Sequence, residues 1–181
     1  MDVFRPVAAP PHRSSSAHAA ARGLFLLQCG LLCGLLCGCD RGNHPSQPGR
    51  VAPAFTVSDA SRSIRLDDYR GRVVVLNFWA TWCAPCIEEL PSLTALQQRM
   101  PQIQVLAVST DDDPTAYHRF LAEHHVGLLT VEDQQQHANA LYGTFRYPET
   151  YIIDRKGIIR RKFIGEQDWT SPEILAYLAH L

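Results

Sequence analysis

Cysteine is scarce over most of this sequence. Only Cys83 and Cys86 occur after residue 40. The other four of the six cysteines lie near the N-terminus, at Cys29, Cys33, Cys37 and Cys39. The main part of the chain therefore cannot contain a disulfide framework, because it has one possible pair. We also expect no metal site, since no second CxxC and no spaced histidine pair is present to complete a set of zinc ligands.

An excess of charge of one sign is also missing. The chain has 17 basic and 18 acidic residues and a net charge of −1, which argues against nucleic acid as a partner. Internal repeats are absent as well. The hydrophobic content of 46% is enough for an ordinary globular core in a chain of 181 residues.

No apolar run is long enough for a comfortable transmembrane helix. The longest, residues 24–36, contains Gln28 and two glycines and follows a segment with Arg5, Arg13 and Arg22. A basic segment before a short apolar run is typical of a secretory signal. An uncleaved anchor is an alternative. Each version places the following domain outside the cytoplasm.

The end of the apolar run, Leu-Cys-Gly-Cys at 36–39, resembles a bacterial lipobox. This resemblance implies lipidation at Cys39, with an ordinary signal peptide as the alternative. Asp40 resembles the signal that, in some bacteria, retains lipoproteins on the inner membrane. We therefore predict three parts: a lipoprotein signal segment at 1–39, a flexible polar tether at 40–50 and one domain at 51–181.

Strand-like and helix-like patterns alternate along the domain, which predicts an α/β protein with a mostly parallel sheet covered on both faces and ending in an antiparallel hairpin and a helix. The first predicted strand is a short one after Pro53, within 51–58. The others are 63–66, 73–78, 103–109, 126–131, 151–153 and 158–164. The predicted helices are 84–100, 114–124, 134–141 and a last one beginning after Ser171. Gly143 is expected to end the third helix, and residues 154–157 are expected to form a turn.

The two late cysteines lie where the buried strand 73–78 gives way to a helix. Unpaired N–H groups and the helix dipole at that point stabilise a thiolate at Cys83. A three-residue step brings Cys86 within one turn of Cys83, so the pair can form a redox-active disulfide. A permanent structural disulfide is the weaker alternative, because so short a loop removes little entropy from the unfolded chain. We assign the attack to Cys83 and its resolution to Cys86.

These residues carry a resemblance to a known family. The motif WCAPC between strand and helix, with Pro148 just before a later strand, resembles the thioredoxin fold. The runs LNFWATWCAPCIEELPSL and YPETYIIDRKGIIRRKFIG resemble the membrane-tethered TlpA/ResA/DsbE-type thiol-disulfide oxidoreductases. This family implies a thioredoxin fold with an N-terminal strand extension and a central helix–strand insertion at about 114–131. It also implies that Pro148 is cis and faces the dithiol in a substrate groove, to which we assign Trp82, Pro85 and Tyr147.

Glu89 is a third candidate for the chemistry. At about 100° per residue, it falls between Leu93 and Leu96 on the apolar face of the predicted helix, whereas Glu88 faces the opposite side. A buried carboxyl has a raised pKa and could exchange a proton with the inner thiol. The family has a glutamate at this place. Thioredoxin instead has an aspartate on the preceding strand, where this sequence has Asn77. A half-exposed glutamate without a role is the alternative.

The resemblance implies a reductase of specific protein disulfides without a cofactor, for example in cytochrome c maturation. A membrane electron donor of the thiol-disulfide type would recharge it, and a lipid would tether it on the periplasmic side of the cytoplasmic membrane. One alternative is a peroxiredoxin-type peroxidase, although such enzymes have a threonine where this chain has Ala80. Another is a non-catalytic module that docks a partner.

Overall fold

The computed structural model describes residues 48–181. The predicted signal segment, Cys39 and the tether up to residue 47 lie outside the described residues. None of the helices in the described part is both long enough and apolar enough to cross a membrane.

Seven strands and four α-helices follow one another in the described chain. The strands are β1 (Thr56–Ser58), β2 (Ser63–Arg65), β3 (Val74–Trp79), β4 (Gln104–Ser109), β5 (Leu129–Glu132), β6 (Glu149–Ile153) and β7 (Ile159–Ile164). The helices are α1 (Ala84–Arg99), α2 (Pro114–Glu123), α3 (His137–Tyr142) and α4 (Pro172–Ala179). A short 3-10 helix covers Leu66–Tyr69.

Five strands form the central sheet in the order β5-β4-β3-β6-β7. Strands β3, β4 and β5 are parallel, whereas β6 runs antiparallel to β3 and β7 antiparallel to β6. The antiparallel hairpin expected at the end of the sheet is present as β6 and β7. The antiparallel pairing of β3 with β6 was not expected, and it makes the sheet mixed and not mostly parallel. An apolar run indicates that a strand is buried, but it does not indicate the direction of the strand in the sheet. The sequence pattern therefore could not show that β6 runs antiparallel to β3.

Strand β3 divides the core because successive side chains point to opposite faces of the sheet. Val75 and Trp79 pack with α1, α2 and α4 in one buried cluster. Val74 and Phe78 pack on the other face, with α3 and the β1–β2 pair. All six residues of β3 are buried. The strand that leads to the cysteines is therefore enclosed along its whole length.

The β1–β2 pair forms a separate two-stranded antiparallel sheet, the position expected of an N-terminal strand extension. Gly49 and Arg50, at the end of the predicted tether, form backbone hydrogen bonds with Ile159 of β7 at 2.7 and 2.9 Å. The central insertion is present as α2 and β5.

Strand β5 begins later than predicted because the chain first closes helix α2. His125 has a positive φ of 48°, and the Val126 amide donates to the Leu121 carbonyl at 3.1 Å. Helix α3 also begins later, at His137, because residues up to Gln136 form a turn, with φ of 53° at Gln136. Gly143 ends α3 in a left-handed conformation, as expected.

Candidate active site

The two domain cysteines form a disulfide across the first turn of α1. Their Cα atoms are 5.3 Å apart. Cys83 is the N-cap residue, and no acidic residue lies in the first turn of the helix. The Cys83 side chain accepts no capping hydrogen bond in this oxidised form. The helix N-terminus can therefore stabilise negative charge on the Cys83 sulfur once the disulfide opens.

Burial distinguishes the two sulfur-bearing residues. Cys83 is 6% exposed and Cys86 is fully buried in the core beneath α1. A disulfide or thiol of another molecule can therefore approach Cys83 more readily than Cys86. This difference agrees with the assignment of Cys83 as the attacking residue.

Asp111 fixes the loop between β3 and the dithiol. Its carboxylate accepts hydrogen bonds from the Thr81 amide at 3.0 Å and from the Thr81 hydroxyl at 2.6 Å. The Ser109 hydroxyl, at the end of β4, donates to the same carboxylate at 2.5 Å. Thr81 lies two residues before Cys83, so a buried carboxylate just after the neighbouring strand β4 holds the segment before the cysteine in place.

Glu89 lies one turn beyond Cys86 and is 2% exposed, so its expected burial is confirmed. Three donors surround its carboxyl group. The Asn77 side-chain amide donates to Oε1 at 2.7 Å, and the Gln167 amide and the Trp169 indole donate to Oε2 at 3.1 Å each. Strand β3 and the segment before α4 thus hold this carboxyl against the inner face of α1.

The pKa of Glu89 is raised to about 7. Burial is the main cause, because it disfavours the charged form, and it outweighs the lowering effect of the hydrogen bonds from Trp169, Gln167 and Asn77. A carboxyl group with this pKa both accepts and releases a proton near neutral pH. This is the property that a proton-transfer partner of a thiol requires.

The residues assigned to a groove lie in two segments, Trp82 and Pro85 beside the cysteines and Tyr147 and Pro148 just before β6. Trp82 is 65% exposed, and its ring contacts the half-buried Tyr147 edge-on, with ring centroids 5.8 Å apart. The Tyr147–Pro148 peptide bond is cis, and Pro148 itself is buried. Pro85 is exposed in the first turn of α1. The structure thus brings the CxxC loop and the loop before β6 into contact.

Sequence reasoning missed several residues that organise this site. Asp111 was not singled out, although it follows a predicted strand at the same sheet edge as the cysteines. Gln167 and Trp169 were also missed, because they are distant in sequence and belong to no motif. One signal could have indicated Trp169: a buried indole N–H needs an acceptor, and Glu89 was the carboxyl expected on the apolar face.

The arrangement can carry out thiol–disulfide exchange. It combines a sulfur at a helix N-terminus, a second sulfur within one turn and a buried carboxyl group with a pKa near neutrality. The exposed aromatic surface beside Cys83 offers a place for another polypeptide to dock.

Comparison with known proteins agrees with this chemistry. Residues 48–162 match the model of the AhpC/TSA family. The thiol-disulfide oxidoreductase ResA of Bacillus thuringiensis is 32% identical over 135 residues, which are 73% of this chain and 77% of that protein. The thiol:disulfide interchange protein DsbE of Pseudomonas aeruginosa is 35% identical over 124 residues, or 66% of this chain and 68% of that protein.

A solved structure shows the same fold. The crystal structure of a thiol:disulfide interchange protein DsbE from Chlorobium tepidum superposes with a TM-score of 0.69 and 27% identity, covering 74% of this chain and 96% of that one. The thioredoxin-like fold expected from the motifs is therefore confirmed. The chain belongs to the AhpC/TSA family and is a thioredoxin-like thiol-disulfide oxidoreductase of the TlpA/ResA/DsbE type.

Proposed function

We propose that the protein reduces specific disulfides of partner proteins outside the cytoplasm. The observation that carries this proposal is the Cys83–Cys86 disulfide across the first turn of α1, with one sulfur at the helix cap and the other in the core. The names of the relatives support exchange between thiols and disulfides as the reaction class.

The reaction begins with the reduced protein. The Cys83 thiolate attacks one sulfur of the substrate disulfide, forms a mixed disulfide and releases the other substrate sulfur as a thiolate. Cys86 then attacks Cys83, forms the intramolecular disulfide and releases the second substrate thiol. Two electrons pass to the substrate, and the protein is left in the oxidised form that the structure shows.

Glu89 is the group that moves the proton of Cys86. With a pKa of about 7, it can take the proton as Cys86 becomes a nucleophile. It can return the proton when Cys86 leaves during recharging. Trp82, Pro85, Tyr147 and Pro148 form the groove that receives the substrate segment around Cys83.

A membrane donor of the thiol-disulfide type completes the cycle, because each turnover consumes two electrons that the protein must regain. This cycle requires the domain to lie close to a membrane. We infer a lipid on Cys39, which would tether the protein on the periplasmic side of the cytoplasmic membrane. Apocytochrome c before haem attachment is one substrate that fits a reductase in this compartment.

A Cys86→Ser variant tests the assignment of the two sulfurs. Without the resolving thiol, the mixed disulfide at Cys83 persists, so partners remain covalently attached until a reductant is added. We expect non-reducing electrophoresis and mass spectrometry to detect such complexes, and to identify the substrate and the donor. The matched Cys83→Ser variant should capture none. Equal capture by both variants would contradict the assignment.

The reduction potential of the Cys83–Cys86 pair tests the direction of the reaction. A reductase is expected to have a potential below about −200 mV, whereas a strongly oxidising pair lies near about −120 mV. Equilibration with glutathione buffers measures this value. A strongly oxidising result would indicate an enzyme that forms disulfides instead.

The proton role of Glu89 is tested by Glu89→Gln in a Cys83→Ser background, where Cys86 is the single reacting thiol of residues 48–181. We expect the alkylation rate of Cys86 to change through the pKa of Glu89, about 7, in the parent. The variant should lose this inflection. In the full enzyme, the resolving step of Glu89→Gln should slow by about 100-fold, the lower end for general acid–base catalysis.

Glu88→Gln is the matched control, because Glu88 is the exposed neighbour on the same helix. Its alkylation profile should equal that of the parent.

The pH dependence of stability supplies an independent readout. The folded state keeps the Glu89 proton up to about pH 7, whereas an unfolded glutamate releases it near about pH 4.3. The free energy of unfolding should therefore fall as the pH rises through this range, and the Glu89→Gln variant should not show this decrease. Superimposable alkylation profiles of parent and Glu89→Gln would contradict the proton role.

The tether is tested by mass spectrometry of the mature protein from its native membrane. We expect an N-terminus at Cys39 that carries the added mass of a lipid. An unmodified Cys39, or an N-terminus elsewhere, would contradict the lipid anchor but not the redox chemistry.

A further inference from the structure

A cleft opens beside β5, the outermost of the three parallel strands. It has a volume of about 460 Å³ and lies between the turn that joins β1 to β2, the start of α2 and the segment after β5. Acidic side chains dominate its charge. Asp59, Glu132 and Asp133 line it, together with His118 and His137.

Glu132 differs from the other acids of the cleft because a buried oxygen of its carboxyl group has no partner. It is 3% exposed, and its buried Oε1 accepts no hydrogen bond within the described part of the chain. The ion pairs formed within residues 48–181 lie elsewhere in the domain. A buried carboxyl oxygen without a donor is costly, so native proteins rarely retain one without a reason.

The neighbouring carboxylates have structural contacts that Glu132 lacks. Asp59 accepts the amides of Ser61 and Arg62 at 2.7 and 2.8 Å, and Asp133 accepts the amide of Ala138 at 2.8 Å. Asp113 caps α2, and Asp111 holds Thr81 as described above. Asp59 and Asp133, the other two acids that line the cleft, are therefore occupied by backbone amides, whereas the buried Glu132 carboxyl is left for a ligand.

The surroundings of Glu132 are strongly negative. Burial raises its pKa to about 7, and the charges of Asp111, Asp59, Asp113 and Asp112 act in the same direction. A cation placed in the cleft would relieve this repulsion and supply the missing donor. Within residues 48–181, no three His, Cys, Asp or Glu side chains are arranged to hold a metal ion. This favours an ammonium or guanidinium group, which donates hydrogen bonds and needs no ligand cage.

The cleft lies within reach of a polypeptide bound at the dithiol. Trp79, Ser109 and Glu132 are paired across three neighbouring strands and form one row. Adjacent strands are about 4.8 Å apart, so Glu132 lies about 10 Å along the sheet from Trp79, after which the CxxC loop begins. An extended chain covers about 10 Å with three residues. A basic residue roughly three to five positions from a reacting cysteine could therefore reach Glu132.

We propose that this cleft binds a lysine or arginine side chain of the partner polypeptide and thereby selects partners with a basic residue close to the reacting cysteine. The proposal rests on the proposed exchange at Cys83. Since Glu132 is the last residue of β5, the bound cation would lie on the β5 side of the dithiol. Tyr147 and Pro148 lie on the β6 side, so the two sites would hold opposite flanks of the same segment.

Two synthetic peptide disulfides test the selection. They have equal length, and lysine in one replaces glutamine in the other, four residues from the cysteine. The reduced full-length protein is mixed with each at a pH above the pKa of Glu132, and kcat/KM is compared. Rates with the uncharged hydroxyethyl disulfide normalise each variant. We expect the lysine peptide to react about fivefold faster, the effect of one screened ion pair, and the preference to shrink with added salt.

Glu132→Gln should bring the two peptides to equal rates, and Asp112→Asn should reduce the preference partly, because Asp112 is exposed and supports the cleft by charge alone. Glu123→Gln is the matched control, since Glu123 is an exposed acid at the far end of α2, and it should keep the full preference.

Three results would overturn the inference. They are equal rates of the two peptides with the unmodified protein, a preference that survives in Glu132→Gln, and a preference abolished by calcium or magnesium chloride but not by sodium chloride of equal ionic strength. The last would identify a metal ion as the occupant. If the unmodified protein exchanges with none of the disulfides, including hydroxyethyl disulfide, the failure lies in the proposed function itself and not in the cleft.

Discussion

The position of Cys83 at the cap of α1 is the constraint on which the chemistry depends. A thiol is a poor nucleophile until it loses its proton, and the N-terminus of a helix stabilises the resulting anion. The elements around Cys83 hold it in this position. Strand β3, buried along its whole length, carries the chain to the sheet edge, and Asp111 fixes Thr81 in the loop that follows. The helix then begins at Cys83, with Cys86 inside its first turn.

Two buried glutamates, Glu89 and Glu132, have different surroundings. Glu89 receives three hydrogen bonds and still has a raised pKa, because burial outweighs them. Glu132 has an oxygen without a donor and several carboxylates nearby. The first environment suits a proton that moves within the protein. The second suits a cation that arrives from outside. The raised pKa values of both glutamates lower the stability of the fold near neutral pH. Such a cost is expected at functional sites.

Much of the fold followed from local patterns in the sequence. The continuous apolar run of β3, the serine and proline that begin α4, and Gly143 after α3 each follow a local rule, and each was placed correctly. The wheel position of Glu89 also predicted its burial, because helical periodicity relates residues three and four apart. The cis bond at Tyr147–Pro148 was implied by the family resemblance and is present in the structure.

The remaining features depend on contacts between distant segments, which no local rule contains. The reversal of β6 could not be seen in an apolar run. The hydrogen bonds of Trp169 and Gln167 with Glu89 join residues about eighty positions apart, and the cleft around Glu132 is lined by three separate segments.

Direct titration of the Cys83 thiol in the reduced Cys86→Ser protein, followed by thiolate absorbance, tests the central claim. The account predicts a pKa clearly below the value of about 8.5 for a free cysteine. A sulfur that titrates like a free cysteine and exchanges with no disulfide would contradict it.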